Sequence, residues 1–132
     1  MDFQQDLNSM VKLALKNYEN APMYKRSQEN RLKAVGNIYF LFSDYELKYI
    51  GQRQLKGIKT RLDQHLYGKS YSVDKNNVQN GTISKWDKVK HEIDHGKEIS
   101  FKVIHVKPDT LRTTIELELI EKLKPIWNIH GK

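Results

Sequence analysis

Arg61 and His65 stand four residues apart within Gly57–Leu66, a stretch in which Ile58, Leu62 and Leu66 recur every four residues. In a helix this spacing puts Arg61 and His65 on one face, beside the apolar stripe. A guanidinium holds a phosphate through two parallel hydrogen bonds, and an imidazole near neutral pH takes or gives a proton. Together they suit phosphodiester cleavage, although the same pair also suits an ordinary solvated basic helix. Tyr39 and Tyr49 fall on facing strands of a predicted hairpin, where their phenols meet at one sheet surface. An unperturbed phenol titrates near 10, so Tyr39 acts as a base only beside positive charge such as Arg61 and a metal. Otherwise the two tyrosines simply fill a core. Glu116 precedes Leu119 by three and Ile120 by four, at the edge of the inner face of a last helix. A carboxylate drawn inward has a cation or a metal as its partner. Asn128 follows the helix-stopping Pro125, where an amide side chain suits tying loop backbone together.

The elements that must position these groups are legible in the pattern. Leu7, Met10, Val11, Ala14, Leu15 and Tyr18 recur at three- and four-residue steps and predict a helix. Pro22 interrupts it, and a second, heavily charged helical stretch is expected from Tyr24 to Ala34. Asn37–Phe42 and Leu47–Ile50, joined by Ser43-Asp44-Tyr45-Glu46, predict a hairpin. Gly57–Leu66 follows as a helix. Residues 68–81 are polar and read as a mobile loop. Ser84 opens a helix to about Asp94 that Gly96 closes. Glu98–Val106 is strand-like, Thr110–Lys124 is helical, and Ile126–Ile129 reads as a tail. The expected class is α+β: a small mixed sheet of about three strands flanked by helices. Residues 1–35 are expected to form an N-terminal helical arm for assembly or for gripping DNA, and residues 36–132 the catalytic domain.

The chain's 132 residues suit one compact domain, and 38% apolar content is enough for one core. Lys plus Arg number 23 against 16 Asp plus Glu, a formal charge of +7. Such a surplus favours an anionic partner, nucleic acid first. The absence of cysteine excludes disulfides, thiolate metal sites and a thiol nucleophile. The acidic, polar N-terminus lacks the features of a signal peptide, and no apolar run approaches the roughly 20 residues of a membrane span. A soluble, cytoplasmic protein is expected.

The order and spacing of these residues carry more information than any one of them. Asn37-Ile38-Tyr39, followed by Tyr49-Ile50-Gly51, resembles the two-strand signature of the GIY-YIG nuclease family. Arg61 stands twelve after Tyr49, and His65 at Arg61 plus four matches a histidine of several branches. Glu116 and Asn128, twelve apart, with Pro125-Ile126-Trp127 between, look like the family's closing block. The likeness covers about Gly36 to Ile129, and its one departure is Asn37 where the signature has glycine. The resemblance implies a metal-dependent DNA endonuclease that leaves 3′-hydroxyl and 5′-phosphate ends. Its active site would comprise Tyr39, Tyr49, Arg61, His65 and Glu116, with Asn128 beside them. Glu116 would hold Mg²⁺ (or Mn²⁺), and Tyr39 would accept the proton of the attacking water with help from Tyr49 and His65. Arg61 would bind the phosphate, and Arg53, Lys56, Lys59 and Lys69 would hold flanking phosphates of double-stranded DNA. The ending at Lys132 and the Pro125–Ile129 sequence suggest a stand-alone phage DNA-degrading or restriction-type enzyme, acting as a homo-oligomer. The alternatives are a catalytically silent basic DNA-binding module of the same fold and, ranked below it, an RNA-processing enzyme.

Overall fold

The computed structural model of the chain describes residues 3–27, 35–69 and 84–130. The expected loop from residue 70 to 81 and the charged stretch 28–34 lie outside the described residues. Within them the fold is α+β. Helix α1 (Phe3–Asn20) precedes strands β1 (Tyr24–Lys25), β2 (Ile38–Ser43) and β3 (Glu46–Gln52). Helices α2 (Ile58–Tyr67) and α3 (Trp86–Asp94), strand β4 (Ile99–Ile104) and helices α4 (Arg112–Leu123) and α5 (Ile126–His130) follow.

The sheet has four strands in the order β1-β4-β2-β3, all antiparallel, which corrects the expected mixed sheet of about three. The extra strand is β1, where helix was expected. Tyr24 and Lys25 pair with Phe101 and Ser100, and the Tyr24 ring lies 5.5 Å from that of Phe101. Just beyond, Arg26 Nε donates to the Leu66 carbonyl at 2.6 Å, its guanidinium sits 4.6 Å from the Tyr67 ring, and Tyr67 Oη donates to the Arg26 carbonyl. These distant partners outweigh the local helix preference of a charged stretch.

Strand β2 is buried along its whole length, so its apolar run is continuous rather than alternating. Ile38, Phe40 and Phe42 face Leu7, Val11 and Ala14 of α1 and Ile115 and Leu119 of α4. Tyr39 and Leu41 face the opposite layer, with Leu62 and Leu66 of α2, Val89 of α3 and Trp127 of α5. Helix α1 therefore shares a core with the sheet. The hairpin turns on Asp44 (φ 47°) and Tyr45 (φ 67°), the two left-handed residues of a turn that matches strand twist. Helix α2 ends on Gly68 at φ 70°, as a left-handed helix cap requires. The expected tail carries instead the short helix α5.

Candidate active site

The hairpin register sets the first two groups. Tyr39 lies directly opposite Gly51, and Leu41 opposite Tyr49, so the two tyrosines are diagonal neighbours on one face. Their ring centroids are 6.2 Å apart. A Cβ on residue 51 would come within 2.3 Å of the Cζ and Oη atoms of Tyr39. Glycine is required there because the Tyr39 phenol lies across the β3 backbone.

Helix α2 delivers the next two. His65 and Arg61 are both buried, one turn apart on the face turned to the hairpin. His65 Nε2 is 2.8 Å from Tyr39 Oη, and its Nδ1 is 2.9 Å from the main-chain nitrogen of Lys85. The imidazole centroid lies 5.3 Å from the Tyr39 ring and 5.4 Å from the Tyr49 ring. Burial holds the His65 pKa well below its ordinary value, and the charges of Arg61, Lys85 and Arg53 push it the same way. Arg61 donates to Gln64 Oε1 at 2.7 Å. Burial drives the Tyr39 pKa strongly upward and Tyr49 adds to this, while the Arg61 charge and hydrogen bond pull it down. Tyr49 is likewise raised by burial and lowered by Arg61. Both phenols are therefore neutral in the resting site.

Glu116 comes from α4 and is half-buried. Its negative charge raises the pKa of both tyrosines. Burial alone lifts its own pKa from the ordinary 4.5 to about 7, and among the described residues no hydrogen bond or ion pair reaches its carboxylate. The nearest cation along the helix, Arg112 at one turn, is held elsewhere. It donates through Nε to Gln52 Oε1 at 2.7 Å and pairs through Nη1 with the Asp109 carboxylate. A partly buried carboxylate without a partner among the described residues, in electrostatic reach of two phenols, fits a site for a divalent cation. Among the described residues no group of three or more His, Cys, Asp or Glu forms a closed ligand set. One carboxylate supplemented by water and substrate oxygens suits Mg²⁺ rather than Zn²⁺.

Asn128, placed at the edge of the active site by its position in the sequence, has its amide fully used. Its Oδ1 accepts from the Ile50 main-chain N–H at 2.8 Å, and its Nδ2 donates to the Ile50 carbonyl at 2.9 Å. It completes the open edge of β3 as a missing strand would. Asn37 makes the same pair of side-chain bonds at the start of β2. Its Oδ1 accepts from Val106 N–H, and its Nδ2 donates to the Val106 carbonyl, each at 2.8 Å. The asparagine that departs from the family signature is thus a buried clamp on the chain leaving β4.

Of the expected phosphate contacts, Arg53 belongs to the site by its charge on His65 and Tyr49. Lys56, Lys59 and Lys69 are exposed, and Lys69 lies 6.0 Å from the Tyr67 ring. Lys85 was missed. It is buried to 9% exposure, with Nζ 5.2 Å from the Tyr49 ring. Burial lowers its pKa, followed by Lys88 and Arg61. A cation at the start of a helix opposes the helix dipole, and that local conflict is the signal that could have singled it out. The site thus combines two phenols, a neutral imidazole, at least three nearby cations and one unpaired carboxylate, an arrangement suited to binding an anion and moving a proton beside it. Comparison with protein-family models, curated proteins and solved structures finds no match to this chain.

Proposed function

We propose that the protein is a divalent-metal-dependent endonuclease of the GIY-YIG type. It would act inside the cell on double-stranded DNA, hydrolysing phosphodiester bonds to 3′-hydroxyl and 5′-phosphate ends. One observation carries the reading: Tyr39, Tyr49, His65 and Arg61 form a single buried polar group within electrostatic reach of a carboxylate that has no hydrogen-bond or ion-pair partner among the described residues. A half-buried carboxylate whose pKa burial lifts to about 7 gains from a cation beside it. The family resemblance of the spacing and the charge of +7 support it.

In this reading Arg61 holds the scissile phosphate and offsets the negative charge that grows on it. Arg53 and Lys85 add positive charge that draws the polyanion in. Glu116 would hold Mg²⁺, which when bound supplies positive charge to the phosphate and the leaving oxygen. The tyrosine pair, having first released one proton to solvent under the positive charge of Arg61, takes the proton of water as the water oxygen bonds to phosphorus, and the bond from phosphorus to the 3′ oxygen breaks. The 3′ oxygen leaves and takes a proton from solvent. Cutting both strands calls for two sites, so a homo-oligomer belongs to the proposal.

The test is supercoiled plasmid with the protein in Mg²⁺, in Mn²⁺ and in chelator, beside Glu116→Ala and an RNA duplex. Nicked or linear DNA that requires both metal and Glu116 is expected. Discrete bands mark a restriction-type enzyme, and a smear marks a degradative one. Salt-sensitive DNA binding with no cleavage under any condition overturns the nuclease reading in favour of a silent DNA-binding module.

A further inference from the structure

His65 is fully buried, and both of its ring nitrogens are engaged. The partner of Nδ1 is the main-chain nitrogen of Lys85 at 2.9 Å. A main-chain N–H only donates. Nδ1 must therefore present its lone pair and carries no hydrogen. A neutral imidazole has one N–H, so the hydrogen sits on Nε2 and points at Tyr39 Oη, 2.8 Å away. The imidazolium form would set a hydrogen on Nδ1 against the Lys85 N–H. Burial and the charges of Arg61, Lys85 and Arg53 around the ring also disfavour that form.

The Lys85 N–H can serve this task because of where it lies. The Lys85 carbonyl accepts from Val89 N–H at 3.0 Å and so opens α3. The N–H groups at a helix start have no partner within the helix. This one is spent on His65.

We propose that His65 is a fixed hydrogen-bond donor to Tyr39, locked in the Nε2–H tautomer by the main-chain amide of Lys85, and that it takes no proton during the reaction. This deepens, and rests on, the proposed phosphodiester hydrolysis. It makes His65 a positioning residue. Its standing N–H holds the Tyr39 oxygen and supports negative charge there, and it turns the hydrogen of the Tyr39 hydroxyl away from the imidazole. The Tyr49 ring lies 6.2 Å from that of Tyr39, whose hydroxyl lowers the Tyr49 pKa. Donors thus run in one direction, from Lys85 N–H through His65 to Tyr39, and a proton taken from water refills the deprotonated tyrosine pair without reaching the imidazole.

The decisive measurement is long-range proton–nitrogen correlation NMR on the ¹⁵N-labelled full chain, without DNA. Between about pH 5.5 and about pH 8.5, where an ordinary histidine titrates, His65 should show a protonated Nε2, a bare Nδ1 and no change. An Nδ1–H tautomer, or titration within that range, overturns the proposal. In the plasmid assay His65→Gln, which retains a donor but no base, should keep kcat within about tenfold with an unchanged pH profile. His65→Ala should lose about 100-fold or more. A folded His65→Gln as inactive as His65→Ala overturns the proposal as well. If the wild type cuts no nucleic acid, the proposed function fails, while the NMR result still decides the tautomer.

Discussion

Replacing Glu116 by glutamine should stabilise the protein at alkaline pH and leave it unchanged in acid. The folded chain holds the Glu116 proton up to about pH 7, against an ordinary 4.5 for the unfolded chain. Below the lower value both states are protonated, and the group contributes nothing to stability. As pH rises from there, the unfolded state gives up its proton while the folded state retains it, so each pH unit costs the fold about 1.4 kcal/mol. Above the folded pKa the loss is complete, at about 3 kcal/mol, and partial solvent contact trims it to about 1–2 kcal/mol. Glutamine has the same shape and no proton to lose. Thermal unfolding in chelator should therefore show Glu116→Gln melting about 3–8 °C above wild type at pH 8 and level with it at pH 4. Adding Mg²⁺ at a large excess over its Kd should return about 2–3 kcal/mol to wild type and nothing to the variant. A variant no more stable than wild type at pH 8 would mean that the carboxylate already has a partner in the fold, and the argument for an open cation site would fail.

Three further substitutions probe the framework. Gly51→Ala places a methyl group 2.3 Å from the Tyr39 phenol, so it should cost about 1–3 kcal/mol and displace the site. An unchanged Tm together with unchanged plasmid cleavage would refute the close approach. Asn128→Ala removes both bonds to Ile50; it should cost about 1–3 kcal/mol and speed exchange of the Ile50 amide, with cleavage by the folded fraction retained. A drop of about 100-fold in a fully folded variant would show that Asn128 takes part in catalysis. Asp109→Ala frees Arg112 to reach Glu116 one turn along α4, so Mn²⁺ affinity measured by calorimetry should fall, and adding Arg112→Ala should restore it. Affinity that stays low in the double variant would show that Arg112 is not the competitor.

What could be read from the chain divides along physical lines. Helix α1, the β2–β3 hairpin and α2 declare themselves because their apolar periods match what they bury. Strand β1 does not. It is two residues long, and its stabilising partners lie more than 70 residues away on β4 and about 40 away on α2. No local pattern encodes them. The site divides in the same way. Tyr39, Tyr49, Arg61, His65 and Glu116 have side chains whose chemistry is visible in one dimension, and the structure brings the first four together with Glu116 in electrostatic reach. The contact of Lys85 with His65 is made by a main-chain amide, which every residue except proline possesses, so sequence has no way to mark it. Asn37 and Asn128 fall between. Their amides announce hydrogen bonding, but only the sheet topology says which backbone each one clamps: Val106 beyond β4 for Asn37, and the open edge of β3 for Asn128.

That last point bears on how the site stays rigid. Strand β3 is an edge strand, and its end carries both Tyr49 and Gly51, over which the Tyr39 phenol lies. An open edge there would fray, since its outward N–H and C=O groups would have only solvent. Asn128 binds both groups of Ile50, the residue between Tyr49 and Gly51. The same three residues are held from the other side by the ladder to β2. A segment fixed on both edges keeps Tyr39, Tyr49 and His65 in hydrogen-bonding register even though the unpaired Glu116 nearby works against stability. The short helix α5 thus fixes the geometry of the site without contributing a reacting group.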